Sequence, residues 1–272
     1  MMTKTSDSFS WRILWAVFGM GLFVFIAIRW DVTPWLRQKI DTAIAQQHLD
    51  LTYRSLERHG LHITLHQVQF KDPRMPQTLL LDDVDVSPDV LPLLHGKISA
   101  HVHIQNDFMD IKSLLSFKNN QLDVKDLDAS LDVAAIQTWL ALPLPAHAQG
   151  QLHLDGSLTM DVYSGIPQST DLTAHWQQAG IHMMSQQYPL GDYTLKTKMI
   201  EQNIQWHIMG GKELMVQGEG STHIATTPLP QWELQGNIKI QAEKSSPLAT
   251  FLTDSERHLK LSGNIGHPQW QF

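Results

Sequence analysis

At 272 residues, 42% of them hydrophobic and 17% charged, the chain suits one large folded domain or two small ones rather than a disordered protein. It has no cysteine, which excludes a disulfide framework, thiolate metal sites and cysteine nucleophiles. The net charge is −7; setting aside residues 1–30, with Lys4, Arg12, Arg29 and Asp7, leaves 17 basic and 26 acidic residues, the wrong sign for a nucleic-acid binder.

Residues 1–10 (MMTKTSDSFS) form a short polar tail expected in the cytoplasm. Ile13 to Ile28 then run without a charge, and with Trp11 and Trp30 the segment reaches 20 residues. At about 1.5 Å per residue that length crosses a hydrocarbon core of roughly 30 Å. Trp11, Trp15, Trp30 and Trp35 suit the aromatic belts at the two interfaces, and Arg12 and Arg29 can snorkel to the head groups. A cleaved signal peptide would have a shorter apolar stretch ending in small residues, whereas this one ends Ala27-Ile28-Arg29-Trp30. The expectation is an uncleaved transmembrane helix over 11–30. It makes the inner-membrane bilayer a partner and places 31–272 in the periplasm. Lys4 and Arg12 favour that orientation, while Arg29, Arg37 and Lys39 oppose it.

Thr33-Pro34 resembles an N-cap with Pro at the first helical position. Leu36, Ile40, Ala43 and Ile44 follow at helical spacing, predicting an amphipathic stalk helix within 31–50. After Leu51 the period becomes two, as in Leu61-His-Ile63-Thr-Leu65, Val84-Asp-Val86 and Val102-His-Ile104. The same alternation returns at Leu152-His-Leu154, Ile238-Lys-Ile240 and Leu259-Lys-Leu261. Alternation predicts antiparallel strands with one dry and one wet face. Leu61, Ile63, Leu65, Val102, Ile104, Leu152, Leu154, Ile238 and Ile240 are the expected dry-face set.

The predicted fold class is mainly β: a curved antiparallel sheet with few, short helices. Short helices are expected after Ser87-Pro88, after Ser246-Pro247 and at Ala134 to Leu142. Leu142-Pro143-Leu144-Pro145 divides the domain into a first β half, 51–142, and a second, 146–272. In the second half, Gly150, Gly218, Gly236 and Gly263 each stand before an alternating segment, where glycine would relieve bends.

The fifteen histidines raise the question of a metal. His62 and His66, and His101 and His103, alternate with apolar neighbours where wet-face residues belong, and no nearby carboxylate completes a ligand set. Asp82-Asp83 and Asp126/Asp128 have the character of solvated strand edges rather than an acid–base pair. Gly210-Gly211-Lys212 is no phosphate loop, because Trp206 stands where its first glycine should be. No nucleophile with an adjacent base can be named. The expectation is a non-enzyme with no catalytic residues, no cofactor and no metal. The terminal Trp270-Gln271-Phe272 suits an outer-membrane barrel, but the apolar segment at 13–28 and Pro268 argue against one.

Trp176-Gln-Gln-Ala179 followed by Tyr188-Pro189-Leu190-Gly191-Asp192-Tyr193 resembles the type II secretion system protein N (GspN) family. Gly211 to Gly218, Trp232-Glu-Leu234-Gln-Gly236-Asn-Ile238 and Leu261-Ser-Gly263 continue the same order of motifs. The resemblance covers 146–272 most closely. It implies an accessory component of the apparatus that exports folded proteins across the outer membrane. That component would be single-pass in the inner membrane, with a periplasmic domain that docks other components of the system. The signature residues are structural: Trp176, Ala179, Pro189, Leu190, Gly191, Tyr193, Gly218, Trp232, Gly236 and Gly263. The β organisation is also similar to AsmA-type envelope proteins, which implies the alternative of an apolar groove that handles lipid.

Overall fold

The computed structural model describes residues 34, 37–38, 40–42, 50–71, 77–92, 96–139, 147–183, 186–225, 231–244, 246–250 and 256–271. The transmembrane segment expected over 11–30 lies outside them. Among the described residues no helix is long and apolar enough to cross a membrane. Residues 34, 37–38 and 40–42 are helical.

The rest is one sheet of fifteen strands. β1 (Asp50–Thr52), β2 (Ser55–His59), β3 (His62–Lys71), β4 (Leu79–Asp89), β5 (Ile98–Asn106), β6 (Met109–Lys118) and β7 (Gln121–Asp132) come first. A short α-helix, α1 (Val133–Trp139), leads into β8 (His147–Asp161), β9 (Pro167–Met183) and β10 (Gln186–Ile200). β11 (Asn203–Gly210), β12 (Leu214–His223), β13 (Glu233–Ala242), β14 (Glu256–Asn264) and β15 (His267–Gln271) complete it. From β3 onward each strand pairs antiparallel with the next in sequence, and β7 pairs with β8. β1 and β2 both pair with β3, as two pieces of one edge interrupted at Tyr53 and Arg54. β15 forms the opposite edge.

The meander follows from local chemistry. Asn119 and Asn120 take positive φ (50° and 64°) in the two-residue turn joining β6 to β7, the conformation such hairpins need. Asn106 Oδ1 accepts from the amides of Phe108 (3.0 Å) and Met109 (2.8 Å) to close the β5–β6 turn.

Cross-strand partners share a face, so the register shows how far the alternation carries. Leu65, Val84, Ile104, Ile111, Ala129 and Leu154 stand opposite one another from β3 to β8. The same row continues through Ala174, Leu195, Ile208, Gly218, Ile238 and Leu259 to β14. It is therefore unbroken by any charge or polar group. Most of its members are only half-buried, because among the described residues no second layer packs across it.

Three expectations need correction. Leu61 is not on the dry face but 60% exposed, since His59 pairs with His62 and leaves Gly60 and Leu61 as the turn. The other eight residues of the dry-face set are half-buried strand residues. Ser87-Pro88 do not start the helix expected after them: both belong to β4, opposite His101 and Ala100 of β5, and 3-10 residues come only later, at Leu91 and Pro92. The β3–β4 pairing ends at Ile63 and Val86, so Pro88 meets β4's neighbour on one side only, where a missing N–H is tolerated. Lastly, none of Gly150, Gly218, Gly236 and Gly263 precedes its strand: they lie within β8, β12, β13 and β14. Gly236 stands opposite Gly220, for a reason set out below.

The other two short helices are present. Asp132 Oδ1 accepts from Ala135 N at 2.8 Å and caps α1. Ser246 Oγ accepts from Leu248 N at 3.2 Å at the start of a 3-10 turn, Pro247–Thr250.

Candidate functional site: the signature cluster and the dry face

The most buried apolar cluster of the sheet assembles around the signature segment. Ala179, Tyr188, Leu190, Tyr193 and Leu248 form it, with Trp176, Ile181, Leu214 and Val216 packed against it. Trp176 and Ala179 are three apart, and an undisturbed strand would point them to opposite faces. A bulge reconciles them. Gln178 adopts φ 50°, and the β9–β10 register shifts on both sides of Gly191. Asp192 Oδ1 accepts from the Gln178 amide at 2.7 Å and holds the bulge.

Gly191 takes φ 105°, and a Cβ there would lie 2.5 Å from the Lys212 amide nitrogen. That close approach lets Lys212 N donate to Leu190 O at 2.6 Å. Trp176 Nε1 donates to Gln149 O at 3.0 Å, and its ring meets Tyr193 at a centroid separation of 5.8 Å. Tyr193 donates its hydroxyl proton to Leu214 O at 2.6 Å. Burial pushes the Tyr193 phenol up to about 12.

The remaining signature residues lie elsewhere. Pro189 is exposed, opposite Gly180. Trp232 is 5% exposed just before β13, and its carbonyl accepts from Ile265 N at 3.0 Å. Gly263 takes φ 100° beside the β14–β15 turn. Gly218 lies in the dry row, where a Cβ would meet Ile238 at 2.9 Å and Ile208 at 3.2 Å. Gly236 and Gly220 lie under Trp206, whose ring would be 2.4 Å and 2.2 Å from their added Cβ atoms. Tyr188, Leu248, Asp192, Trp206 and Gly220 are structural residues that sequence reasoning missed. The last two had a legible signal, a tryptophan followed by two glycines on alternating segments.

On the wet face His62, His66, His103, His153 and His175 each stand beside a carboxylate on a neighbouring strand. Contrary to expectation, carboxylates do stand near His62, His66 and His103: Asp85, Asp83 and Asp110. Among the described residues no group of three such side chains is placed to hold a metal ion.

Among the described residues the sheet is a single layer with one apolar face, an open surface rather than a closed pocket. Residues 59–253 match the family described as type II secretion system (T2SS), protein N, and the chain belongs to that family. Its broad role is accordingly that of an accessory component in type II secretion. No curated protein and no solved structure matches the chain.

Proposed function

We propose that this chain is a single-pass inner-membrane component of the type II secretion system, whose periplasmic sheet docks other components of the apparatus. The observation that carries this reading is the dry row from Leu65 to Leu259, one residue per strand and half-buried. Eleven inter-strand steps of about 4.8 Å make it roughly 50 Å long. A half-buried apolar row of that length gains stability from any partner that covers it, at about 25 cal/mol per Å² of apolar surface. Membership of the secretion family points to other secretion proteins as that partner.

A second reading rests on the continuity of the same row. With no charge across it, the row suits an acyl chain as well as a protein, as in a lipid-handling envelope protein. Deletion separates the two. Under the docking reading, exported enzymes accumulate in the periplasm while the outer membrane stays intact. Normal secretion with a detergent-sensitive envelope would overturn it in favour of lipid handling.

A further inference from the structure

We infer that the polar face of β2–β9 is a docking surface for a lysine- and arginine-rich segment of a partner protein, and that protonation of its histidines releases that partner. The inference rests on the reading of this chain as a docking component, and it names the chemistry of one partner. The polar row adjoining the dry row runs Glu57, Thr64, Asp85, His103, Lys112, Asp128, Asp155 and Thr173. It holds four carboxylates, Glu57, Asp85, Asp128 and Asp155, against one lysine, and that Lys112 is taken up by Asp110 at 3.5 Å. A face of that sign attracts cationic segments and repels acidic ones.

Five histidines of this face stand beside carboxylates, and His101 of β5 shares it, opposite Ser87 and Leu114. His66 on β3 lies between Asp83 of β4, with its Nδ1 2.5 Å from Oδ1, and Glu57 of β2 at 3.7 Å. His62 faces Asp85 at 3.2 Å and the Ser87 hydroxyl at 2.5 Å, both on β4, with His59 of β2 opposite. His103 on β5 is 2.8 Å from Asp110 of β6 and 3.7 Å from Asp85 of β4, with Lys112 opposite. His153 on β8 faces Asp128 of β7 at 3.7 Å and His175 of β9. His175 faces Asp155 of β8 at 3.9 Å and the Thr194 hydroxyl of β10 at 3.1 Å.

The lattice has a direct electrostatic consequence. When these histidines are neutral, the carboxylates keep their charge and the face is anionic. When they are protonated, each cancels a carboxylate beside it, and the attraction for a cationic segment disappears. A free imidazole changes charge around pH 6.5 and a free aspartate carboxyl around pH 4, so a fall in pH acts on imidazoles first. The hydrogen bond that His66 donates to Asp83 raises the His66 pKa, which favours the cancelled state there.

Anisotropy of a fluorescein-labelled hexalysine peptide, titrated with the full chain in non-ionic detergent micelles, tests this. Binding at about pH 7.5 should weaken roughly tenfold or more at about pH 5.5. Changing His62, His66, His103, His153 and His175 together to Gln should keep binding at the higher pH and remove its pH dependence. Should that variant not fold, His153→Gln with His175→Gln should remove part of the dependence. Asp128→Asn with Asp155→Asn should weaken binding, whereas Glu201→Gln with Glu243→Gln, away from this face, should not. Three results would overturn the proposal: no binding at the higher pH, equal binding at both, or equal loss in the two carboxylate variants. The measurement uses the isolated protein, so its failure is distinct from that of the secretion reading, which a deletion strain scores.

Discussion

The indole of Trp206 on β11 lies across the backbone of Gly236 on β13, two strands away. A Cβ built on Gly236 would fall 2.4 Å from Trp206 Cζ2 and 2.5 Å from Cη2. Gly220, on the intervening β12, would clash at 2.2 Å. The bare glycines let one ring cover two strands, so the ring screens backbone that glycine leaves exposed.

Gly236→Ala should therefore destabilise the sheet by about 2–3 kcal/mol, the range for overpacking. Movement of the ring alone would not relieve the strain, because the backbone Glu219 O would also stand 2.7 Å from the new Cβ. Denaturant unfolding followed by tryptophan fluorescence would measure it. A change within 0.5 kcal/mol of zero would mean that the ring is free to move off the glycine.

Tyr193→Phe removes the hydroxyl that donates to Leu214 O at 2.6 Å and leaves a half-buried carbonyl short of one partner. A loss of about 1–2 kcal/mol is expected, against about 3–5 kcal/mol for Tyr193→Ala, which also empties the cluster. The phenol, pushed up to about 12 by burial, should titrate last among the tyrosines. Its contribution to stability is present below the unfolded pKa of about 10 and lost as pH rises through the folded value. Ultraviolet titration of the wild type and the Phe variant would reveal the missing high-pH step.

How much of this could be read beforehand depended on range. Alternation is local, so Leu152, Leu154, Ile238 and Ile240 declared their strands and their shared face directly. The turn at Asn119-Asn120 did so too, because its chemistry lies in the turn itself. The bulge at Gln178 was hidden: it depends on Asp192 of the next strand, and nothing in Trp176-Gln-Gln-Ala179 marks it. Leu61 misled because an apolar residue at a turn continues the pattern by one step. Pro88 misled because Ser-Pro suits a helix start and an unpaired strand end equally. The histidine–carboxylate pairs were illegible for the same reason as the bulge, since each joins two strands.

His66 gives stability a pH dependence of definite sign. The hydrogen bond to Asp83, opposed by burial and aided by the charges of Asp83 and Glu57, raises its pKa. Its contribution is thus complete below the unfolded pKa of about 6.5 and lost as pH rises through the higher folded value. The wild type should exceed His66→Gln in stability by more at about pH 5.5 than at about pH 8. Denaturation midpoints at the two values would check this, and a reversed order would mean that His66 is held neutral.

Val102 stands between Val86 and Ser113 on the dry face. Val102→Asp would place a carboxylate among half-buried apolar side chains, at a cost of about 3 kcal/mol. The adjacent His103 lies on the wet face, and His103→Gln should leave the fold intact. Circular dichroism melts of the two variants would distinguish the faces: a silent Val102→Asp with a collapsed His103→Gln would invert them.

The last prediction concerns topology. The uncharged run from Ile13 to Ile28, extended to 20 residues by its flanking tryptophans, is long enough to span a bilayer. Downstream, Asp41 Oδ1 accepts from the Tyr53 hydroxyl at 2.7 Å, and the Arg37 guanidinium lies 5.7 Å from the Tyr53 ring centroid. Burial, then the bond to Asp41, raises the Tyr53 pKa. These contacts join the helical residues near 40 to the β1–β2 edge. The sheet should therefore lie on the same side of the membrane as the stalk. Lys4 and Arg12 favour retention of the tail in the cytoplasm, which sends the sheet to the periplasm. Alkaline phosphatase fused after Phe272 should be active, and a cytoplasm-dependent reporter at the same site should be silent. The opposite pattern would show that Arg29, Arg37 and Lys39 set the orientation, and would remove the sheet from the compartment where secretion components could meet it.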